Sequence, residues 1–446
     1  MKNPNRILLL VFIALLSVMS FSTIQAKSIT LKAGLATPVM EADTEQTAFL
    51  RVALVGFEQD VDVDRAPLNV ALVLDESSSM SGDKIQRAKE AATLAVSKLS
   101  PNDYISIVTY DTTVNVLVPA TQARNKKRLY DAIQSIQANG STALFAGTSK
   151  GADQVAKYLT GERVNRVILL SDGMANIGPD SPSELGDLGK ALAKKGMSVS
   201  TIGLGLGYNE DLMTQLANYS DGNHDFVENS ADLAMVFDRE FGDAMSVVAQ
   251  GVEIEIICED GFVPLRVIGR EATITGNRVR TKMNHLYSSQ ENYVILEVRV
   301  PATADGAQLQ VADVQVRYNN MATNKQDQTS EQVAVAFSRS EQKVEQSIDK
   351  AAYESAVEQV ANVATQRALE LRDRGDVEGA RQSLENNAGF LDKVAELISS
   401  PRLKKQSEES LEEASVVTKD EDWNASRKQL KEKTYKRSKQ QEQDDY

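Results

Sequence analysis

The spacing of apolar residues changes several times along the chain, and each change marks a boundary. Residues 7–21 are almost continuously apolar. Residues 47–57 (TAFLRVALVGF) alternate enough to predict a strand with no helix beside it. From 67 to 249, short apolar runs alternate with helical stripes. Strands are predicted over 68–74, 104–110, 114–118, 167–170, 198–202 and 225–227, and helices over 84–99, 126–136, 143–159, 184–194, 211–219 and 231–245. Strands apolar on both faces and joined by helices imply a mostly parallel sheet covered on both sides. The pair at 104–118 adds an antiparallel hairpin.

Further β runs at 253–258, 263–268, 272–275, 293–300, 308–318 and 332–337 follow with no helix between them, which predicts a sandwich. The strand at 47–57 needs partners, and this later sheet region supplies them. The expected fold class is therefore α/β: a doubly wound, mostly parallel sheet inserted in a β-sandwich. From 341 onward Val344, Ile348, Ala352, Ala356, Val360, Val363 and Leu371 form one stripe, and Val377, Ala380, Leu384, Ala388, Leu391, Val394 and Leu397 another. Gly375-Asp376 separates them, so a C-terminal α-helical hairpin is expected. The expected divisions are 1–26, 27–66 (a β segment pairing with the later β domain), 67–250, 251–338, 339–400, and a polar, partly disordered tail over 401–446.

The candidate chemistry lies at strand ends. Asp75, Ser77 and Ser79 alternate in Leu74-Asp75-Glu76-Ser77-Ser78-Ser79-Met80, directly after the apolar run at 70–74. Thr142 lies in Gly140-Ser141-Thr142-Ala143-Leu144, in a loop that opens a helix, and Asp172 in Leu169-Leu170-Ser171-Asp172-Gly173. In doubly wound sheets, loops at the carboxyl ends of strands meet where the strand order reverses. Hydroxyls from Ser77, Ser79 and Thr142 would suit a hard divalent cation, with Asp75 and Asp172 acting through water or orienting the hydroxyls. Such a cation keeps a position open for an anionic ligand. Helix capping by Ser or Asp accounts for one hydroxyl but not for three separated segments. Glu76 is expected to face solvent.

Asp75-Glu76-Ser77-Ser78-Ser79 with Thr142 and Asp172 in order resembles the metal-ion-dependent adhesion site of von Willebrand factor type A (VWA) domains. Ser171-Asp172-Gly173 with Asn176 and Gly178, and residues 198–205, look like that family too, and the resemblance covers about 67–249. It implies a domain binding Mg²⁺, Mn²⁺ or Ca²⁺ that recognises a protein ligand through a carboxylate, and not an enzyme. The flanking β region looks like that of inter-alpha-trypsin inhibitor heavy chains and of exported bacterial proteins labelled calcium-activated chloride channel homologues.

Charge and composition narrow the partners. Lys and Arg number 49 against 63 Asp and Glu, a formal net charge of −14, which argues against sequence-independent nucleic-acid binding. Lys2 and Arg6 ahead of the first apolar run, with Ala26 after it, have the order of a secretory signal, so the protein is expected to be exported to a periplasmic, cell-surface or extracellular location. No second long apolar run follows, so the mature chain is expected to have no transmembrane span. Cys258 is the single cysteine; it excludes an internal disulfide and is expected to be a buried hydrophobe.

Other signals are weaker. Gly147-Thr148-Ser149-Lys150-Gly151 spells a hydrolase elbow, but that motif needs a strand-to-helix turn, and here it falls inside a helical stripe. Close packing of small residues is the expectation, with a hydrolase using Ser149 as the alternative. A subunit of an ATP-driven metal-insertion or remodelling machine is a further alternative, opposed by the export signal. The two histidines lack metal-ligand spacing, and His224 is expected in an exposed turn. The glycines of 203–207 are expected to make room for the neighbouring site. A basic cluster in the tail (Arg427, Lys428, Lys431, Lys433, Lys436, Arg437 and Lys439) is expected to be solvated, with contact to an anionic envelope surface as the alternative.

Overall fold

The computed structural model describes residues 27–60 and 65–441; the apolar leader at 1–26 lies outside the described residues. No helix among the described residues is long and apolar enough to cross a membrane. The chain begins with strands β1 (Thr30–Leu35), β2 (Val39–Glu41) and β3 (Gln46–Val55), of which only β3 is anticipated by the hydrophobic pattern.

It then enters the α/β domain: β4 (Leu68–Asp75), α1 (Asp83–Lys98), β5 (Tyr104–Tyr110), β6 (Val114–Gln122), α2 (Lys126–Gln134), α3 (Leu144–Ala156), β7 (Val164–Ser171), α4 (Pro182–Ala193), β8 (Ser198–Leu204), α5 (Glu210–Ser220), β9 (His224–Val227) and α6 (Leu233–Met245). The sheet order is β6-β5-β4-β7-β8-β9, parallel except for the β5–β6 hairpin. Every residue of β4, β7 and β8 is buried, because helices cover both faces. Leu68, Val70, Leu72 and Leu74 face one core; Ala71 and Val73 face the other.

The chain then returns to the sandwich through β10 (Val247–Cys258), β11 (Val263–Ile268), β12 (Ala272–Thr275), β13 (Arg278–Tyr287), β14 (Glu291–Val300), β15 (Gln308–Asn320) and β16 (Lys325–Ser338). Its two sheets run β1-β3-β14-β11 and β12-β13-β10-β15-β16-β2. β3 is hydrogen-bonded antiparallel to β14, from Gln46 opposite Val300 to Val55 opposite Glu291, so the α/β domain is an insertion in the sandwich. Cys258 is buried in the sandwich core, where burial pushes its thiol up to about 11. β13 is absent from the sequence expectation. Its inward positions include Thr281 and His285, and its outward ones Arg280 and Lys282, so the apolar alternation is diluted. The two units are joined by Arg166 of β7, which lies fully buried 2.6 Å from Glu240 of α6 and donates to the Tyr287 hydroxyl at 3.0 Å.

The helices are α7 (Glu341–Gln346), α8 (Lys350–Asp373), α9 (Val377–Ile398), α10 (Pro401–Val416) and α11 (Trp423–Ser438). α8 and α9 form the anticipated hairpin. The tail departs from expectation: in place of a polar, partly disordered segment it forms α10 and α11. The basic cluster is neither simply solvated nor free for an envelope surface, because each of its members is paired within the chain. Arg427 bonds Asp211 and Asp373 at 2.7 Å, and Lys428 bonds Glu210. Lys431 meets Asp211 at 3.0 Å, Lys433 Glu413 at 2.7 Å and Lys436 Asp225 at 3.1 Å. Arg437 meets Glu409 at 2.6 Å and Lys439 meets Asp221 at 2.7 Å. α11 lies against β9 and α5, and this changes the surroundings of His224. It is fully buried, not exposed in a turn, with Nδ1 2.8 Å from the Thr201 hydroxyl and the Tyr435 ring edge-on to it.

Candidate metal-binding site

β4 and β7 are adjacent, and the chain leaves β4 toward β5 on one side and reaches β7 on the other, so the strand order reverses between them. Asp75 ends β4, and Ser171-Asp172 ends β7. The 75–79 loop is held open by backbone bonds: Glu76 N–H to Tyr110 O (2.9 Å), Ser78 N–H to Gly140 O (3.1 Å) and Asn139 N–H to Glu76 O (2.6 Å). The third loop is set by Asn176, whose Oδ1 accepts the Thr142 N–H at 2.8 Å. Gly140 turns this loop with φ +75°, and a Cβ there would meet Asp111 Oδ2 and Thr112 Oγ1 at 2.8 Å.

The side chains converge. Asp75 Oδ1 accepts the Ser77 N–H at 2.8 Å, and its Oδ2 accepts the Ser171 hydroxyl at 2.8 Å. Ser77 Oγ is 2.9 Å from Ser79 Oγ, which donates to Asp172 Oδ1 at 2.6 Å. A Cβ on Gly173 would lie 3.3 Å from Thr142 Oγ1 and 3.4 Å from Ser79 Oγ, so both hydroxyls face the same glycine. Asp75, Ser77, Ser79, Thr142 and Asp172 thus meet at one edge of the sheet. Burial, reinforced by the Asp172 charge, raises the Asp75 carboxyl to about 6 against the hydrogen bonds from Ser77 and Ser171.

One residue, Glu76, stands elsewhere than the sequence suggests, while Ser149 stands where it is expected and Lys84 is an addition. Glu76 does not face solvent: it is half-buried and hydrogen-bonded to Thr109 and Asn115, with burial raising its carboxyl. Ser149 lies within α3, not at a strand-to-helix turn. Its flanking glycines serve packing, since a Cβ on Gly147 would meet the Tyr110 ring at 2.7 Å and one on Gly151 the Val73 side chain at 2.4 Å. Gly207 gives the site room, because a Cβ there would come within 2.8 Å of Asp172 O. Lys84, in the first turn of α1, was overlooked; its Nζ is 2.5 Å from Asp172 Oδ2. The signal for it was a lysine at the positive end of a helix, where a cation is unfavourable without a partner.

The donor set has a definite chemical character. Among the described residues no group of three or more His, Cys, Asp and Glu side chains is placed to hold a metal ion. Three neutral hydroxyls with two buried carboxylates behind them suit a hard oxygen-seeking cation such as Mg²⁺, Mn²⁺ or Ca²⁺, and not a soft one. One cation, the Lys84 ammonium, already lies against Asp172.

The domain that carries this site is a VWA domain: residues 69–239 match the von Willebrand factor type A domain family. Among its relatives are an uncharacterized protein of Synechocystis sp., 26% identical over 76% of this chain and 82% of that protein, and uncharacterized protein YfbK of Escherichia coli, 29% identical over 51% of this chain and 40% of that one. Inter-alpha-trypsin inhibitor heavy chain H3 of Rattus norvegicus is 25% identical over 42% of this chain but only 22% of its own length. The fold is shared with a von Willebrand factor type A protein from Catenulispora acidiphila (TM-score 0.69, 15% identity, 88% of this chain and 90% of that one). It is shared too with the ArnB paralog VWA2 from Sulfolobus acidocaldarius (TM-score 0.61, 16% identity, 93% and 98%).

Proposed function

We propose that this chain is an exported binding protein, not an enzyme, that takes up one divalent cation at Asp75, Ser77, Ser79, Thr142 and Asp172 and through it captures a carboxylate of a partner protein. The observation that carries the reading is the convergence of three remote loops at the sheet's switch point, with hydroxyls in front and carboxylates behind. Bound there, the cation would supply a site for an anionic ligand.

The chain's own residues do the rest. Ser77, Ser79 and Thr142 would offer oxygens without cancelling the ion's charge. Asp75 orients the Ser77 end of its loop, and Asp172 orients Ser79. Gly173 and Gly207 leave the approach open. Around it stand the exposed side chains of Met174 and Leu206, an apolar rim suited to an acidic residue flanked by apolar ones. Export rests on the leader sequence.

The test is calorimetry of the full chain with Mg²⁺, Mn²⁺ and Ca²⁺. One site per chain is expected, lost in Asp75→Ala, with circular dichroism confirming that the variant keeps the fold. Uptake that is indifferent to Asp75→Ala would overturn the proposal.

A further inference from the structure

Lys84 sits where a cation should not be needed if the site's only business is with a divalent ion. It is the second residue of α1, at the end of the helix where the backbone dipole repels positive charge. Its ammonium reaches Asp172 Oδ2 at 2.5 Å, while Asp172 Oδ1 takes the Ser79 hydroxyl, so both oxygens of that buried carboxylate are engaged. The lysine stem passes Gly205, where a Cβ would be 3.8 Å from Cε and Nζ, beside the exposed Leu206. The two ends of the pair differ: the Asp172 side chain is 0% exposed and that of Lys84 36%. Asp172 is fixed by its packing, whereas a lysine on a flexible four-carbon stem has solvent into which it can swing.

Resting on the metal-site reading above, we infer that Lys84 is an exchangeable internal counter-ion. Without a divalent cation it neutralises Asp172 and keeps the two buried carboxylates, Asp75 and Asp172, from facing each other uncompensated. When a divalent cation enters at the hydroxyls, a fixed positive charge on Asp172 opposes it, and the ammonium moves out to the rim. Released beside Leu206, it offers an incoming carboxylate a second positive contact. The site is thereby set to a threshold: metal uptake is weaker than the oxygen donors alone would give, and it is coupled to a change at the ligand-facing surface.

The experiment uses the full chain and Mn²⁺ alone. Mn²⁺ affinity is measured by calorimetry for wild type, Lys84→Gln and Lys84→Arg, and the rate of acetylation of each lysine by an N-hydroxysuccinimide ester is followed by peptide mass spectrometry in chelator and in saturating Mn²⁺. Lys84→Gln is expected to bind Mn²⁺ about tenfold more tightly, with Lys84→Arg staying near wild type. Lys84 is expected to acetylate slowly in chelator and several-fold faster in Mn²⁺, with the other lysines unchanged. Equal Mn²⁺ affinity in wild type and Lys84→Gln, or Lys84 acetylation indifferent to Mn²⁺, would overturn the inference and leave the metal site standing. Absence of Mn²⁺ uptake in all three proteins would overturn both.

Discussion

Lys428 donates to the main-chain carbonyl of Tyr208 at 2.8 Å, which fastens the last helix to the loop between β8 and α5. That loop carries Leu206 and Gly207 at the edge of the candidate site, and Asn424 of the same helix donates to Leu206 O at 3.2 Å. Lys428 is buried and also bonds Glu210, which Arg427 shares. Lys428→Met is therefore expected to lower stability by about 1.5–3 kcal/mol, because Arg427 still compensates Glu210. A urea titration with the midpoint unchanged would contradict this.

At the opposite end of the sheet, Arg166 and Glu240 form a buried ion pair beneath the sandwich. Arg166→Met strands Glu240 and is expected to cost about 3–5 kcal/mol. Arg166→Met combined with Glu240→Gln should recover much of that loss, since Glu240 no longer carries a buried charge that needs Arg166. Thermal unfolding of the single and double variants measures the difference.

Thr142→Val removes a hydroxyl and keeps the shape of the side chain. Mn²⁺ affinity is expected to fall by about tenfold or more, on the order of one charge-assisted contact, with the melting temperature near wild type. Calorimetry and a thermal melt read the two quantities separately.

His224 gives a pH dependence of known sign. Burial lowers it to about 4, with the nearby Lys436 and Lys428 acting in the same direction and Asp225 opposing. The fold holds it neutral, so its contribution is fully present above about 6.5, the ordinary histidine value, and is lost as pH falls toward 4, because the unfolded chain takes up the proton first. His224→Asn, less stable than wild type at neutral pH, should close the gap by about 1.4 kcal/mol per pH unit between those values. Chemical denaturation of both proteins across that range provides the check; a constant gap would refute it.

Much of the α/β domain was legible because its information is local. β4 and β7 carry unbroken apolar runs at 70–74 and 167–170, and Asp75, Ser77, Ser79 and Asp172 follow directly after them, so strand and chemistry are read together. The strand over 46–55 could be assigned to the sandwich because nothing beside it in sequence could pair with it. What was illegible depends on partners remote in sequence. α11 buries Lys428, Thr434, Tyr435 and Ser438 along with Leu430, so it has no apolar stripe, and its docking relies on acidic groups of α5 and β9. His224 reads as a turn residue until α11 covers it. Lys84 reads as an ordinary surface lysine until β7 places Asp172 beside it.

The insertion has a consequence for how the molecule is made. β3 emerges from the ribosome early, yet its neighbour β14 is synthesised only after the entire VWA domain. An apolar strand must therefore wait, paired on one side only by β1, while a separate domain completes itself. The sandwich is the slow, late-closing part of this protein, and refolding after dilution from denaturant should regain the inserted domain before the layer that frames it.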